Sequence, residues 1–479
     1  MDPITEAGVE IATSTLMKRA PIAFELANEF KSQGKRLALV GGSVRDAILG
    51  RLGNDLDFTT DAHPDLTKRI LSKRLEHLWD TGARFGTISG RSDGFLIEIT
   101  TYRSESYQQD SRKPSVEFGE TIEVDLSRRD FTINAMALEL TTKSPEFIDP
   151  YQGVVDLAKK LIRTPLTPEI SFSDDPLRML RAIRFASQLD FAIDDEVRRA
   201  IVTMRGRLEI ISAERVRDEF TKIILSGRPR LGITLLVESG LAEIFIPEVP
   251  RLQLEVDEHH HHKDVYQHSL TVLEQAIALE DRLKGPNLVI RLAALLHDIG
   301  KPKTKRLIDG GGVSFHHHEV VGAKMTRERL KSLRFDAELI KQVSQLVFLH
   351  LRFHGYGNGE WTDSAVRRYV RDAGDLLEHL HVLTRADCTT RNRAKAEALA
   401  KSYDSLEDRI TKLAQEEELS KIRPDLDGQE IMKVLGIKPG PLVGKAYEHL
   451  LELRIEEGPL GKERAEMELL TWWRLNGNT

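Results

Sequence analysis

Two aspartates separated by one residue are the first candidates for chemistry in this sequence. Asp55 and Asp57 belong to the stretch Asn54–Phe58, at the start of the predicted strand Leu56–Thr60. Residues two apart on a strand point to the same face, where two carboxylates repel each other unless a divalent cation lies between them. Magnesium takes such oxygen ligands and completes its shell with substrate phosphates. The pair therefore predicts a magnesium site, with a solvated strand edge as the alternative. Glu98, on the predicted strand Phe95–Thr101, is either a third carboxylate of this site or a surface residue.

A candidate phosphate-binding loop precedes the aspartate pair. The apolar run Leu37–Val40 leads into Gly41 and Gly42, and a helix carrying Arg45 is expected to follow. Bare backbone amides and a guanidinium would then face one anion. The loop and the aspartate pair together are the parts of a nucleotidyl-transfer site. The loop would hold a triphosphate, and two metal ions would activate a hydroxyl and stabilise the leaving pyrophosphate.

The segment Leu39–Asp57 resembles the first motif of the tRNA nucleotidyltransferase and bacterial poly(A) polymerase family, within the polymerase-beta-like superfamily. Segments similar to four further motifs of that family follow in the same order: Arg128–Ala135, Asp149–Leu157, Asp174–Arg184 and Glu214–Phe220. The resemblance covers the first half of the chain closely. It implies that the two aspartates are catalytic metal ligands.

The resemblance also implies which residues bind the nucleotide. Gly42, Arg45 and Arg129 would hold the triphosphate, and Asp130 would contact the ribose. Surface charge is the alternative for the arginine pair that includes Arg129. The pair and Asp130 directly precede the apolar run Phe131–Leu138, which favours the rim of a functional site.

Asp175 and Arg178 are the positions implied for base recognition. Expected one turn apart on a helix, they would present a hydrogen-bond acceptor beside a donor. Cytosine and adenine offer the complementary donor beside an acceptor, whereas uracil and guanine present the reverse order. Arg181 and Arg184, three residues apart on that helix, would support the nucleotide or the primer end. Capping of the helix N-terminus is the alternative role for Asp174, where the family more often has Glu.

A second group of metal-ligand residue types lies in the C-terminal half, in a helical setting. Adjacent His and Asp at a helix end can share one metal ion, and more distant His and Asp can complete its shell. The series resembles the HD phosphohydrolase superfamily, which implies a divalent metal of open identity on His268, His297, Asp298 and Asp387. His318 and His350 fall where two-metal members carry further ligands, although the run His316–His318 leaves the register open. Structural histidines are the alternative.

The sequence changes from β-rich to helical near residue 165, which predicts an α+β protein: a small mixed β-sheet nucleotidyltransferase head followed by an all-α neck, body and HD domain. The predicted strands of the head are Leu37–Val40, Leu56–Thr60, Gly86–Ser89, Phe95–Thr101 and Val116–Phe118, and a helical stretch is predicted at Leu66–Leu75. The expected boundaries are 17–164 for the head, 165–256 for a helical region of base recognition and RNA binding, 257–400 for the HD domain and 401–479 for a helical tail.

Composition excludes several classes of protein. The chain has 479 residues, 40% of them hydrophobic, and lacks the run of roughly 20 apolar residues that a membrane span needs. Met1–Pro21 has no secretory core, and the single Cys388 cannot form an internal disulfide, so a cytoplasmic protein without membrane partners is expected. The net charge of −6 provides no overall basic field, so RNA binding must use local patches. The run His259–His262 is internal, unlike a terminal tag.

Together the two resemblances imply a template-independent enzyme that builds the CCA end of tRNA from CTP and ATP, with magnesium in the head and an accessory HD phosphohydrolase site. A poly(A) polymerase, or an enzyme that adds only CC or only A, is the alternative within this class. The segment Asp110–Pro114 looks like the flexible-loop sequence associated with complete CCA addition. An HD phosphohydrolase whose head only binds nucleotide or RNA is the alternative from another class, and the intact aspartate pair argues against it.

Overall fold

A computed structural model describes residues 3–80, 82–83, 86–106, 115–118, 121–254, 264–308, 312–353, 361–390, 392–417, 419 and 422–476. The segment Asp110–Pro114 and the run His259–His262 lie outside the described residues. The chain divides into two compact units, Met1–Phe245 and Ile246–Thr479.

A seven-stranded mixed sheet forms the centre of the first unit. The strands of this unit are β1 (Leu37–Val40), β2 (Asp55–Thr60), β3 (His77–Trp79), β4 (Thr87–Ser92), β5 (Phe95–Thr101), β6 (Arg103–Ser106), β7 (Ser115–Phe118), β8 (Ala137–Glu139), β9 (Glu146–Ile148), β10 (Leu161–Ile162) and β11 (Ala192–Ile193). The sheet order is β3-β4-β5-β2-β1-β8-β9, with β2 and β5 parallel and the other neighbours antiparallel. The predicted mixed α+β fold is confirmed.

Strand prediction succeeded where the apolar runs are long enough to show a pattern. The predicted bounds of β1 and β5 match the structure, and β2 begins one residue earlier than predicted, so it includes both aspartates. The sequence patterns do not predict β3, β6, β8, β9, β10 or β11. These strands have two to four residues each, too few to display alternation, and they form because neighbouring strands pair with them.

Among its described residues, the first unit has twelve helices. They are α1 (Pro3–Arg19), α2 (Ile22–Ser32), α3 (Gly42–Ile48), α4 (Pro64–Leu71), α5 (Ile122–Ser127), α6 (Gly153–Ala158), α7 (Pro168–Asp174), α8 (Arg178–Leu189), α9 (Asp195–Met204), α10 (Ala213–Ile224), α11 (Pro229–Glu238) and α12 (Ala242–Phe245). The helix predicted at Leu66–Leu75 starts two residues earlier, because Pro64 takes the first helical position, where its missing N–H costs nothing. Helix α8 buries an apolar face against α10 and α11.

Over its described ranges, the second unit is helical apart from a short antiparallel strand pair, β12 (Arg306–Ile308) and β13 (Gly312–Ser314). Its helices are α13 (Val265–Ala278), α14 (Leu288–Leu296), α15 (Lys301–Thr304), α16 (His318–Ser332), α17 (Ala337–Leu349), α18 (Asp363–Ala373), α19 (Leu377–Asp387), α20 (Arg393–Glu416), α21 (Gly428–Leu435), α22 (Pro441–Glu457) and α23 (Lys462–Asn476). In the described part of the chain, none of the helices combines the length and the apolar character needed to cross a membrane.

Side-chain caps fix where three helices of the second unit begin. Asp264, Asn287 and Asp336 each accept a hydrogen bond from a backbone N–H in the first turn of α13, α14 and α17, respectively. Helices α14 and α17 then end directly before His297 and His350, so each histidine extends from a helix C-terminus.

Candidate active site

The glycine loop between β1 and α3 touches both the aspartate strand and an arginine from a distant segment. Gly41 has φ +69°, and a Cβ atom there would lie 2.6 Å from Nη1 of Arg129, so glycine at this position lets the guanidinium approach the loop. The hydroxyl of Ser43 donates to the carbonyl of Asp55 at 3.2 Å and accepts from the N–H of Asp57 at 3.0 Å. The loop and the start of β2 are therefore held together.

Three carboxylates share one face of the sheet. Asp55 and Asp57 alternate with buried residues on β2, and Glu98 lies opposite Asp57 in the parallel pair of β2 with β5. Burial raises the pKa of Asp57; the nearby Arg129 opposes this effect, and the charges of Glu98 and Asp55 add to it. Glu98 is therefore part of the same electrostatic group as the aspartate pair. Its hydrogen-bond contact with Ser89 Oγ, at 3.3 Å, keeps it on that face.

Arg45 is buried and donates hydrogen bonds to two residues. Its Nε and Nη2 atoms donate to the Asp46 carboxylate at 3.0 and 2.9 Å, and its Nη1 atom donates to Oδ1 of Asn134 at 2.6 Å. Arg129 is more accessible, and its Nη2 atom lies 3.2 Å from a carboxylate oxygen of Asp125. Of the two arginines implied for the triphosphate, Arg129 is thus the one with the more accessible side chain.

Asp130 forms the buried centre of a polar network. Its Oδ1 atom accepts from the N–H of Phe131 and the amide of Asn134, both at 2.9 Å, and its Oδ2 atom accepts from Nε of Arg181 at 2.8 Å. Burial alone would raise the pKa of Asp130, but the Arg181 guanidinium and the Asn134 hydrogen bond outweigh it and lower the pKa to about 2.

The predicted placement of Asp175 and Arg178 one turn apart on a helix is wrong. Helix α7 ends at Asp174, and Asp175 is extended, with φ −143° and ψ 102°, before α8 begins at Arg178. The cause is Pro176, whose ring clashes with a helical conformation of the preceding residue. Asp174 therefore ends a helix instead of capping the start of one.

Asp175 and Arg178 nevertheless lie together, each held by other residues. Oδ1 of Asp175 accepts from the N–H of Leu177 at 3.1 Å, and Oδ2 pairs with Nη2 of Arg215 at 2.7 Å. Arg178 donates to Oγ of Ser171 at 2.9 Å and to the carbonyl of Arg128. These contacts fix the carboxylate and the guanidinium without using all of their hydrogen-bonding capacity.

A cavity of about 270 Å³ brings five of the predicted nucleotide-binding residues together. It is lined by Asp125, Arg128, Arg129, Asp130, Asp175, Leu177, Arg178, Arg181 and Arg215. The family resemblance implies no role for Arg215, although this residue belongs to the segment similar to the last motif. The contact that reveals its role is with Asp175, which lies forty residues earlier in the chain, so only the three-dimensional structure shows it.

Arg184 and the glycine loop do not line this cavity. The Nε atom of Arg184 lies 3.1 Å from Oε2 of the buried Glu219. Burial, together with the charge of Arg181, lowers the pKa of Arg184 to about 10. Arg184 therefore acts on the cavity wall indirectly. It pairs with Glu219, which also lies 4.0 Å from the cavity residue Arg181.

Six buried or nearly buried side chains of the second unit converge in two groups. The groups are His268, His297 and Asp387, and Asp298, His318 and His350. In each group two imidazole Nε2 atoms lie 3.2 Å apart. The four residues expected from the sequence lie together, since carboxylate oxygens of both Asp298 and Asp387 are within 3.6 Å of Nε2 of His268 and of His297.

Asp298 connects the two groups. Its Oδ2 atom lies 3.2 Å from Nε2 of His297, and its Oδ1 atom lies 3.3 Å from Nε2 of His318. Among the three adjacent histidines left open by the sequence, His318 is buried and reaches the cluster, whereas His316 and His317 are exposed. Burial therefore identifies His318 as the histidine of this run that belongs to the cluster.

The Nδ1 atoms of three of the cluster histidines already contact backbone carbonyl oxygens. Nδ1 of His297, His318 and His350 each contacts the backbone carbonyl three residues earlier, at 2.9, 2.9 and 2.6 Å. A proton on each Nδ1 leaves Nε2 as the free electron-pair donor, which is how metal-binding histidines are oriented. Nitrogen and carboxylate donors of this kind suit divalent transition metals, so the cluster fits such ions.

Comparison with known proteins adds information about the whole chain. Residues 37–163 match the family model "Poly A polymerase head domain", 190–252 match "Probable RNA and SrmB- binding site of polymerase A", and 265–416 match "HD domain". The "A-adding tRNA nucleotidyltransferase" of Deinococcus radiodurans is 33% identical over 427 residues, which cover 87% of this chain and 91% of the relative. The chain belongs to the tRNA nucleotidyltransferase family. This confirms the family predicted from the motifs.

Other members of the tRNA nucleotidyltransferase family match over shorter stretches or only in fold. The "CCA-adding enzyme" of Lactobacillus helveticus is 39% identical over 222 residues, so the match spans 46% of this chain and about half, 54%, of that relative. The solved CCA-adding enzyme of Bacillus stearothermophilus in complex with CTP aligns over 100% of both chains, with a TM-score of 0.64 and 22% identity. The structural similarity shows that the fold is shared.

Proposed function

We propose that the chain transfers CMP and AMP from CTP and ATP to the 3′ end of tRNA, without a nucleic-acid template and with magnesium. The observation that carries the proposal is the carboxylate face of β2 and β5 in the same unit as an arginine-lined cavity. Membership of the tRNA nucleotidyltransferase family supports this activity. We propose the cytoplasm as its compartment, since tRNA and nucleoside triphosphates occur there.

Asp55 and Asp57 would hold the metal ions, and Glu98 is close enough to share in binding them. Bound magnesium would favour ionisation of the primer hydroxyl and offset negative charge on the oxygens of the reacting phosphate and of the leaving pyrophosphate. The link from Ser43 to both aspartates orients this strand end before substrate arrives.

Arg129 is proposed to bind the triphosphate, because it reaches the glycine loop across Gly41 and also lines the cavity. A guanidinium presents paired donors that match phosphate oxygens. Arg45 is buried behind this point, and we propose that it supports the loop at Gly42 as well as the charge of the phosphates. Asp130, which stays ionised in its network, is proposed to accept from a ribose hydroxyl at the cavity wall.

Asp175 and Arg178 are proposed to recognise the base. An ionised carboxylate only accepts hydrogen bonds and a guanidinium only donates them, so the pair suits the amino group and ring nitrogen of cytosine or adenine. Contacts with Leu177 and Arg215 hold the carboxylate, and contacts with Ser171 and Arg128 hold the guanidinium. Their relative position is thereby set by protein groups and needs no template strand.

Addition of AMP alone is a second candidate activity. It is favoured by one observation: the A-adding enzyme of Deinococcus radiodurans matches over 91% of its length, whereas the CCA-adding enzyme of Lactobacillus helveticus matches over 54% of its own. The test is to incubate the chain with tRNA ending at the discriminator base, at C or at CC, with each nucleotide, and to sequence the products. Addition of CCA to the shortest primer supports the first proposal. A single A added only after CC supports the second, and a long A tail contradicts both.

We also propose that the histidine cluster of the second unit binds two divalent metals and hydrolyses a phosphoester. Two pairs of Nε2 atoms at 3.2 Å, with Asp298 between them, support a two-metal arrangement. Lys301, whose Nζ lies 2.9 Å from Asp298 Oδ2, adds a buried positive charge beside the cluster. Metal analysis and a phosphatase assay of the purified chain test this proposal.

A further inference from the structure

Three guanidinium groups surround one phenylalanine ring in the first unit. The Cζ atoms of Arg184, Arg45 and Arg181 lie 4.2, 5.2 and 5.7 Å from the centroid of Phe185. All three distances fall within the range at which a cation is attracted to an aromatic face. Phe185 is 6% exposed and also meets Phe131 edge to face, with 5.8 Å between centroids.

The arginines around Phe185 come from two different elements. Arg45 lies on α3, directly after the glycine loop, whereas Arg181 and Arg184 lie on α8. Arg181 and Phe185 are four residues apart and therefore occupy the same side of that helix. The ring thus lies where the nucleotide-cavity helix meets the loop helix.

Hydrogen bonds connect two of these three arginines, Arg45 and Arg181. Arg45 donates to Asn134 at 2.6 Å, Asn134 donates to Asp130 at 2.9 Å, and Arg181 donates to Asp130 at 2.8 Å. Guanidinium N–H groups donate in the plane of the group, so these bonds do not use its flat faces. An aromatic ring suits those weakly hydrated faces, and it also restrains their tilt.

We propose that Phe185 is a positioning residue for nucleotide binding, because its ring restrains the guanidinium of Arg181, which lines the cavity, and that of Arg45, which lies behind the glycine loop. The proposal rests on the proposed function, since it assumes that the cavity binds CTP and ATP. It predicts an effect on nucleotide affinity with little effect on the chemical step. The ring contacts arginines of the nucleotide-binding network and not the carboxylates of β2.

A purely structural role is the competing explanation, because any buried phenylalanine contributes to stability. Leucine at this position keeps an apolar side chain but removes the aromatic faces, whereas tyrosine keeps them. Phe30, fully buried on α2 in the same unit, provides a matched control. Phe30→Leu removes a ring of the same size from the core of the head.

The test measures the dissociation constants of CTP and ATP by calorimetry and, separately, kcat and KM for addition to tRNA. In Phe185→Leu the dissociation constants and KM of both nucleotides should rise about tenfold, while kcat at saturation changes less than threefold. Phe185→Tyr should restore both values to within about threefold of the wild type. Phe30→Leu should lower Tm but leave the dissociation constants unchanged.

A double-variant cycle checks whether the ring acts through an arginine. Arg181→Lys keeps the charge but loses the planar group, so its effect and that of Phe185→Leu should be less than additive in the double variant. Additive effects, an unchanged nucleotide affinity in Phe185→Leu, or an equal loss in Phe30→Leu would overturn the proposal. If the wild type binds both nucleotides but adds none to tRNA, the proposed function fails while the binding constants still decide the role of Phe185. A wild type that binds neither nucleotide overturns both.

Discussion

The carboxylate of Asp175 is held by the guanidinium of Arg215, with 2.7 Å between Oδ2 and Nη2. This ion pair links the extended residue between α7 and α8 to helix α10. It leaves acceptor capacity on Asp175, since each carboxylate oxygen can accept more than one hydrogen bond. Arg215 therefore orients the acceptor of the proposed base-recognition pair.

Base selection should depend on this pair. Asp175→Ala or Arg178→Ala should reduce the preference for CTP and ATP over UTP and GTP by about ten- to a hundredfold, because a mispaired polar group costs about 1–3 kcal/mol in a closed site. The efficiency kcat/KM for all four nucleotides, on tRNA ending at the discriminator base or at CC, measures the change. Arg129→Ala is the matched control, expected to weaken all four nucleotides alike. An unchanged ratio in both variants would assign base recognition to other residues.

The carboxylate face should be required for chemistry and not for RNA binding. Asp55→Ala or Asp57→Ala is expected to abolish nucleotide addition in the presence of magnesium, because either change removes a proposed metal ligand. Affinity for tRNA, measured by filter binding, should remain. Asp65→Ala, at an exposed position in the first turn of α4, serves as the control and should retain activity. Near-normal addition by either β2 variant would refute the assignment.

The Glu98→Gln variant tests whether Glu98 is a magnesium ligand or only a neighbour of the two aspartates. If Glu98 shares in metal binding, the magnesium concentration for half-maximal activity should rise about tenfold while addition remains measurable. Titration of activity against magnesium provides the test. A magnesium dependence identical to that of the wild type would make Glu98 an electrostatic neighbour of Asp57 only.

Acid should weaken the buried network around Asp130. The pKa of this group is lowered in the folded chain, to about 2 from its ordinary 3.8, so its stabilising contribution is present above pH 4 and is lost as the pH falls towards 2. The shift corresponds to about 2 kcal/mol. The difference in Tm between the wild type and Asp130→Asn should therefore shrink as the pH falls from 5 to 3. A difference that is independent of pH would show that ionisation of Asp130 does not stabilise the fold.

The metal content of the histidine cluster should follow its two-group geometry. We expect two divalent ions per chain, at most one in His350→Ala, and none in a combined His297→Ala and Asp298→Ala variant, as measured by mass spectrometry of the metal. The combined variant should also lose phosphoester hydrolysis and keep nucleotide addition. His317→Ala, with a side chain 83% exposed, should retain both metals. If the purified wild-type chain contained no metal, the histidines would be structural.

Much of the proposed active site could be predicted because its signals are local. The period of two along β2 places Asp55 and Asp57 on one face, whatever the strand pairs with. Gly41 directly after an apolar strand similarly indicated a loop of unusual conformation, and its φ of +69° agrees. The bend at Asp175 is also encoded locally, by Pro176, although the helical pattern on either side of it favours a continuous helix.

Other features depend on contacts between distant segments and were decided only by the tertiary structure. Glu98 joins the aspartates because β5 pairs with β2 in parallel register, and no local pattern specifies that register. His318 is distinguished from its two neighbours only by which imidazole is buried against His350. Thus the sequence by itself determined the residue types, their local spacing and the family. Packing decided which distant groups meet, because strand pairing and burial depend on the whole chain.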